Sequence, residues 1–169
     1  HVFDESLVLL ASTSREYSVD FPHPYWAEQD ADRVWRLVKE CIREVVLKTQ
    51  TSSSIDAIGL SVQGEAVVPV DKKGIPLRPM ILGMDTRTDE ENRWIREKIG
   101  SREIFNLTGM PIHTINTLPK LLWLKTHEPS IWNSADKFLL YEDFLINKMT
   151  GSPCISQCLA SRTQLYDLK

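Results

Sequence analysis

The chain has 169 residues, of which 42% are hydrophobic and 25% charged, and its formal net charge is −3. This length suits one domain with a sizeable core and is short for two, and the composition is that of a folded globular protein, not a disordered one. Cations are spread along the chain without a basic run for nucleic acid, and no apolar run is long enough to span a membrane.

Residues 7–11 (Leu-Val-Leu-Leu-Ala) read as a short buried strand, with sheet continuing through Arg15 to Val19. Phe21 to Trp26 is a proline-punctuated loop, after which Asp30 offers an N-cap. The following helix carries Val34, Trp35, Leu37, Val38, Cys41, Ile42, Val45 and Val46 at amphipathic spacing, and a polar stretch over 49–54 stops it. Ile55 to Val62 reads as a strand, with Ala66 to Val70 as its hairpin partner. Asp71 to Gly74 is a turn and Met80 to Leu82 another strand. Thr88 and Glu91 have capping-box spacing, and Trp94, Ile95 and Ile99 line a helix face that Gly100 ends. Ser101 caps a short helix ending by Gly109. Thr117 caps another, with Pro119 in its first turn and Pro129 at its close. Phe138 to Leu140 is a strand and Glu142 to Met149 a helix, terminated by Gly151. The alternation predicts an α/β fold, a mixed sheet flanked by helices, as a single domain over 1–169.

Two strand ends are polar in the same way. Residues 58–65 run from Ile-Gly-Leu into Ser-Val-Gln-Gly-Glu, and residues 81–87 run from Ile-Leu-Gly into Met-Asp-Thr-Arg. In α/β proteins ligands lie beyond such ends. A carboxylate accepts two hydrogen bonds and so suits vicinal hydroxyls, and Gly64 removes the side chain that would block close approach to Glu65. A hairpin turn with Glu65 in water accounts for the same letters. Asp85 suits a hydroxyl, and Arg87 suits either an anion or a bracing contact to Asp85. A plain helix entry with Arg87 solvated is the competing reading.

The histidines His1, His23, His113 and His127 show no metal spacing, and Cys154 and Cys158 have no second pair to complete a zinc set, so no metal ligand is expected. An odd cysteine count, with Cys41 on a helical apolar face, fits a reducing compartment, and with no signal-peptide pattern at its start a cytoplasmic location is expected. The tryptophans read as core more than as a sugar-stacking platform. All glycines are isolated, so nothing cradles a triphosphate.

Read together, the segments resemble the N-terminal domain of the FGGY carbohydrate kinases, whose members include xylulokinase, ribulokinase, gluconokinase and glycerol kinase. Thr117-Leu118-Pro119-Lys120-Leu121-Leu122-Trp123-Leu124-Lys125-Thr126-His127-Glu128-Pro129 is similar to the family's first signature, with Ile115 at a position usually aromatic, Met, Gly or Ser. Trp26 to Asp30, Ser61 to Glu65, Met84 to Thr88, Leu139 to Gly151 and Ala160 to Thr163 with Asp167 resemble other family segments in the same order.

The resemblance implies a ribonuclease H-like, actin-like domain lacking its first strand and loop, and ATP-dependent phosphorylation of a sugar or polyol. It implies Gln63, Gly64, Glu65, Asp85 and Arg87 as substrate-binding residues, with Glu65 at the place of the glutamate that binds the polyol in glycerol kinase. Gly64 falls where that enzyme has arginine and xylulokinase has methionine, and Gly83 where many members have tryptophan. Both changes imply a wider pocket. The catalytic aspartate is expected beyond Lys169, so the chain is expected to be inactive alone. ATP and Mg²⁺ belong to the full-length enzyme, as does a C-terminal ATP-binding domain. The expected partners are that domain and a sugar, with no nucleic acid and no membrane; a homodimer stays open. The alternative is a non-catalytic carbohydrate-binding or interaction module reusing the fold.

Overall fold

A computed structural model describes residues 1–49 and 55–168. The chain divides into two compact units, His1–Ser18 with Asp32–Leu60, and Val19–Ala31 with Ser61–Lys169.

In the first unit, β1 (Val2–Phe3) and β2 (Leu9–Ala11) form an antiparallel hairpin. Its turn is held by Asp4, whose Oδ1 accepts from the Ser6 and Val8 amides at 2.9 Å. The hairpin is not the buried strand expected there, since Leu7, Leu9 and Leu10 are all exposed. Helix α1 (Ala31–Thr49) begins directly after Asp30, as expected, and turns Val34 and Val45 inward. Across from it Arg15 bonds Glu44 at 2.5 Å and Lys48 bonds the same carboxylate at 2.6 Å. Those two hydrogen bonds, Lys48's first, bring the Glu44 pKa down to about 2. The polar stop expected over 49–54 lies largely outside the described residues.

The strand expected over Ile55 to Val62 does not form. An alternating apolar segment becomes a strand only where another backbone is there to pair with it. The hairpin partner assigned to it, Ala66 to Val70, pairs elsewhere: β3 (Val68–Val70) lies antiparallel to β4 (Lys137–Leu139).

The second unit is built around these strands. β5 (Glu28–Gln29) pairs antiparallel with β6 (Met80–Ile81), and a bridge between Val67 and Ile81 connects that pair to the run entering β3. The strands thus form small antiparallel sheets under helices in place of one mixed sheet. Ala66, Val67, Val68, Met80, Ile81 and Leu82 are fully buried. Val67 and Ile81 pack with Trp123 and Leu124, and Trp26, Leu121, Trp132 and Phe138 close around them. Three of the tryptophans therefore belong to or border one core, whereas Trp94 remains half exposed.

Helix α2 (Asp89–Lys98) starts after Thr88, but the Thr88 hydroxyl makes no cap bond, so the capping box is not formed. Glu91 is instead turned inward, and burial raises its pKa. Helix α3 (Ser101–Thr108) is capped by Gly100, not Ser101, and ends at Gly109 in the left-handed conformation that glycine tolerates (φ 69°). Helix α4 (Thr117–His127) takes Asn116 as its N-cap, one residue before the expected Thr117. Pro129 opens a further short helix, α5 (Pro129–Ser134), because a proline at the first helical position loses no hydrogen bond. Helix α6 (Tyr141–Thr150) is held at its start by Asp143, whose Oδ1 accepts from the Leu140 amide at 2.6 Å. Helix α7 (Gln157–Ser161), unforeseen in the sequence, is capped by the Ser156 hydroxyl.

Candidate functional site

The two polar strand ends fold into different environments. Glu65 follows the unpaired segment and enters the buried run Ala66–Val70, which leaves the residue 6% exposed. The Thr117 hydroxyl, at the start of α4, donates to the Glu65 carbonyl at 3.2 Å and fixes the backbone there. Arg162, 97 residues away in sequence, donates from Nε to Glu65 Oε1, and its Nη2 pairs with the same oxygen. The other oxygen, Oε2, lies 3.4 Å from where a Cβ on Gly83 would stand, and Ile115 Cγ1 lies 3.6 Å from that point. Glu65, Gly83, Ile115 and Arg162 thus converge.

Gly64 has a different role from the one its sequence suggested. A Cβ there would stand 2.9 Å from Cδ and Nε of Arg162 and 3.2 Å from Leu159 Cδ2. The room left by the missing side chain holds the arm of Arg162 and does not add to a pocket. At Gly83 a Cβ would meet only ordinary contacts, the nearest of them Glu65 Oε2, so the glycine leaves that oxygen without a side chain against it. Gln63, just before the glycine, is exposed.

Asp85 is fully buried. Its Oδ2 accepts from the Ala27 amide at 2.6 Å and from Arg87 Nη2 at 2.7 Å, while Oδ1 accepts from the Arg87 amide at 3.0 Å and from Arg87 Nε at 2.9 Å. The Arg87 guanidinium is stacked 3.7 Å from the Trp26 ring centre and 4.7 Å from that of Trp123. It continues to Glu28 Oε1 at 2.7 Å, which also accepts from Arg78, and Arg78 reaches Glu128 at 2.9 Å. Five charged side chains therefore alternate in sign through the interior, which is how buried charges are tolerated.

Lys120 links the two ends. It is fully buried, and its Nζ donates to the carbonyls of Thr114 (3.0 Å), Ile115 (2.5 Å) and Asn116 (3.0 Å). That clasp shapes the turn that places Ile115 beside Gly83. Burial lowers the Lys120 pKa to about 7, against the opposing pull of Asp85 and Glu65. The same turn is tied to the Arg162 segment, because Gln164 Nε2 donates to the Pro111 carbonyl at 2.7 Å and the Thr163 carbonyl accepts from the Leu118 amide at 2.9 Å.

Sequence reasoning gave no site role to Lys120 or Arg162, and took Thr117 only as a helix cap. Lys120 had a signal, since a lysine inside an otherwise apolar helix start needs a partner. Arg162 had none, because its contact joins distant segments. Among the described residues no group of three or more His, Cys, Asp or Glu side chains is placed to hold a metal ion. Among the described residues no helix is long and apolar enough to cross a membrane.

Residues 1–169 match the model of the FGGY family of carbohydrate kinases, N-terminal domain, and the chain belongs to that family. A xylulose kinase of Staphylococcus epidermidis is 38% identical over 160 residues, covering 94% of this chain and 32% of its own. A glycerol kinase of Nocardia farcinica is 30% identical over 174 residues, covering 99% of this chain and 35% of its own. Among solved structures, a xylulose kinase from Rhodospirillum rubrum superposes with a TM-score of 0.85 at 27% identity, over 94% of this chain and 33% of that one. The chain thus spans about a third of the length of the relatives it matches. Its fold is the actin-like α/β class expected from the sequence.

Proposed function

We propose that the chain forms the acceptor side of an ATP-dependent sugar kinase and that Glu65 holds a hydroxyl of the sugar. The observation that carries this reading is the Glu65 carboxylate itself. It is almost entirely buried, one oxygen is fixed by Arg162, and the other faces a residue without a side chain. A buried carboxylate held this way is preorganised to accept from a sugar O–H. The acceptor is a ketose such as xylulose, in line with the 38% identity to a relative named for it. Residues 1–169 act as most of one substrate-side domain. Gln63 and Gly64 shape the loop that presents Glu65. Asp85 and Arg87 brace the site from behind and do not touch the sugar.

ATP and Mg²⁺ do not fit the residues of this chain: it has isolated glycines in place of a phosphate loop and, among its described residues, no carboxylate cluster for a metal. They are assigned, with the catalytic base, to a further domain of the same protein, working in the cytoplasm. The chain's own contribution is to bind and orient the acceptor, which phosphoryl transfer depends on. Assay of the complete gene product for ADP release with ATP and xylulose, ribulose, gluconate or glycerol tests the reading. Turnover with a ketose is expected; no turnover with any of them refutes it.

A further inference from the structure

Arg162 is the one charged side chain among the described residues that meets the Glu65 carboxylate. Its placement is specific. The segment carrying it closes α7, where the Arg162 amide donates to the Leu159 carbonyl at 3.1 Å. Thr163 and Gln164, immediately after, are buried and tied to the turn before α4, with Gln164 in the left-handed region (φ 62°). The backbone is therefore anchored on both sides of the arginine, and its arm lies in the space that Gly64 leaves. Yet the side chain remains 45% exposed, against 7% for its partner. A guanidinium offers N–H bonds from all three of its nitrogens, and Glu65 engages two of these nitrogens through one oxygen. Donors remain toward solvent on the arginine, and Oε2 remains toward Gly83 on the glutamate. An acceptor on the glutamate and donors on the part-exposed arginine thus remain side by side.

We infer that Arg162 contacts the substrate directly and forms with Glu65 a paired grip on two adjacent oxygens of a neutral polyhydroxy acceptor. One oxygen donates its proton to Glu65 Oε2, and its neighbour, hydroxyl or keto, accepts from the Arg162 guanidinium. Selection follows: an acceptor with vicinal oxygens is favoured, and one with an ammonium group beside the bound hydroxyl is rejected by the arginine's charge. This rests on the reading of Glu65 as the acceptor residue.

The test uses the complete protein, with sugar binding measured by calorimetry and turnover measured separately. Arg162→Met is expected to weaken sugar binding and raise the sugar KM by about tenfold or more, as loss of a charged hydrogen bond does, with the ATP KM unchanged. Arg162→Lys is expected to recover part of that loss. Gly64→Ala, which pushes on Cδ and Nε, is expected to move the sugar KM the same way. A contact is told from a brace by monodeoxy sugars: the analogue lacking the oxygen that Arg162 holds loses affinity in the parent protein but no more in Arg162→Met. Unchanged sugar affinity in Arg162→Met overturns the inference, as do losses that simply add for every analogue. A parent protein that binds sugar without phosphorylating it refutes the kinase reading, while the binding constants still decide the role of Arg162. A parent protein that binds no sugar refutes both.

Discussion

The two acid–arginine pairs, Asp85 with Arg87 and Glu65 with Arg162, look alike on paper and are opposites in the fold. Asp85 and Arg87 lie two residues apart, with side-chain exposures of 0% and 1%, and the arginine lies against the rings of Trp26 and Trp123. Glu65 and Arg162 lie 97 residues apart, and the arginine is 45% exposed. In the first pair the carboxylate oxygens are already taken by the protein. In the second, one oxygen is held and one is turned to a glycine. A buried carboxylate with both oxygens engaged inside the protein supports structure, whereas one with an oxygen left unengaged can serve a ligand.

The largest effect expected from this contrast is on folding. Arg87→Ala leaves Asp85 buried without its cation and Glu28 with Arg78 alone, and breaking such a buried pair costs about 3–5 kcal/mol. Chemical denaturation should show that loss in the midpoint. A change within about 0.5 kcal/mol, typical of surface sites, would mean that the Asp85–Arg87 pair does not brace the fold.

Next comes binding. Glu65→Ala in the complete protein is expected to raise the sugar KM by about 2 kcal/mol in free-energy terms, the scale of a charged hydrogen bond, and to leave the ATP KM in place. Parallel rises in both would place Glu65 with the structural pair.

Lys120 sharpens the comparison through pH. Its folded-state pKa is lowered from 10.5 to about 7, so between those values the unfolded chain holds a proton that the folded chain does not. Stability therefore rises with pH across that window, by at most about 1.4 kcal/mol per pH unit for one proton. Lys120→Met should flatten this slope, which urea titrations at pH 7, 8 and 9 can read. A slope that survives the substitution would assign it to another group.

The smallest effect is expected at Gly83. Its backbone is not in the left-handed region, and an added Cβ meets only ordinary contacts, at 3.4 Å and 3.6 Å. Gly83→Ala should shift stability by no more than about 1 kcal/mol, whereas Gly83→Trp, which sets a side chain against Glu65 Oε2, should cut sugar affinity. Unaltered affinity in Gly83→Trp would show that the sugar does not approach from that side.

Much of the helical framework was legible because helices are signalled locally. The stripe of α1 and the glycine stops at Gly109 and Gly151 follow from spacing alone. The errors fell where the outcome depends on distant chain. Ile55 to Val62 has strand letters but no pairing partner, and Val68 to Val70 pairs with a segment about 70 residues on. The site shows the same division. Glu65 and Asp85 were visible as acids at strand ends, yet the sequence could not tell the braced one from the available one. That distinction rests on Trp26, Trp123 and Arg162, which tertiary structure brings in. Gly64 was misread for the same reason, since the occupant of its empty space lies 98 positions later in the numbering, by the difference of 162 and 64.

The most direct measurement is calorimetric titration of a ketose into the complete protein and its Glu65→Gln variant, with the melting temperature of each recorded alongside. The account predicts that Glu65→Gln loses sugar affinity by about tenfold or more while melting close to the parent, since the isosteric amide keeps the packing but loses the charge. Equal affinity in the two proteins would contradict it and make Glu65 a buried partner for Arg162 and nothing more.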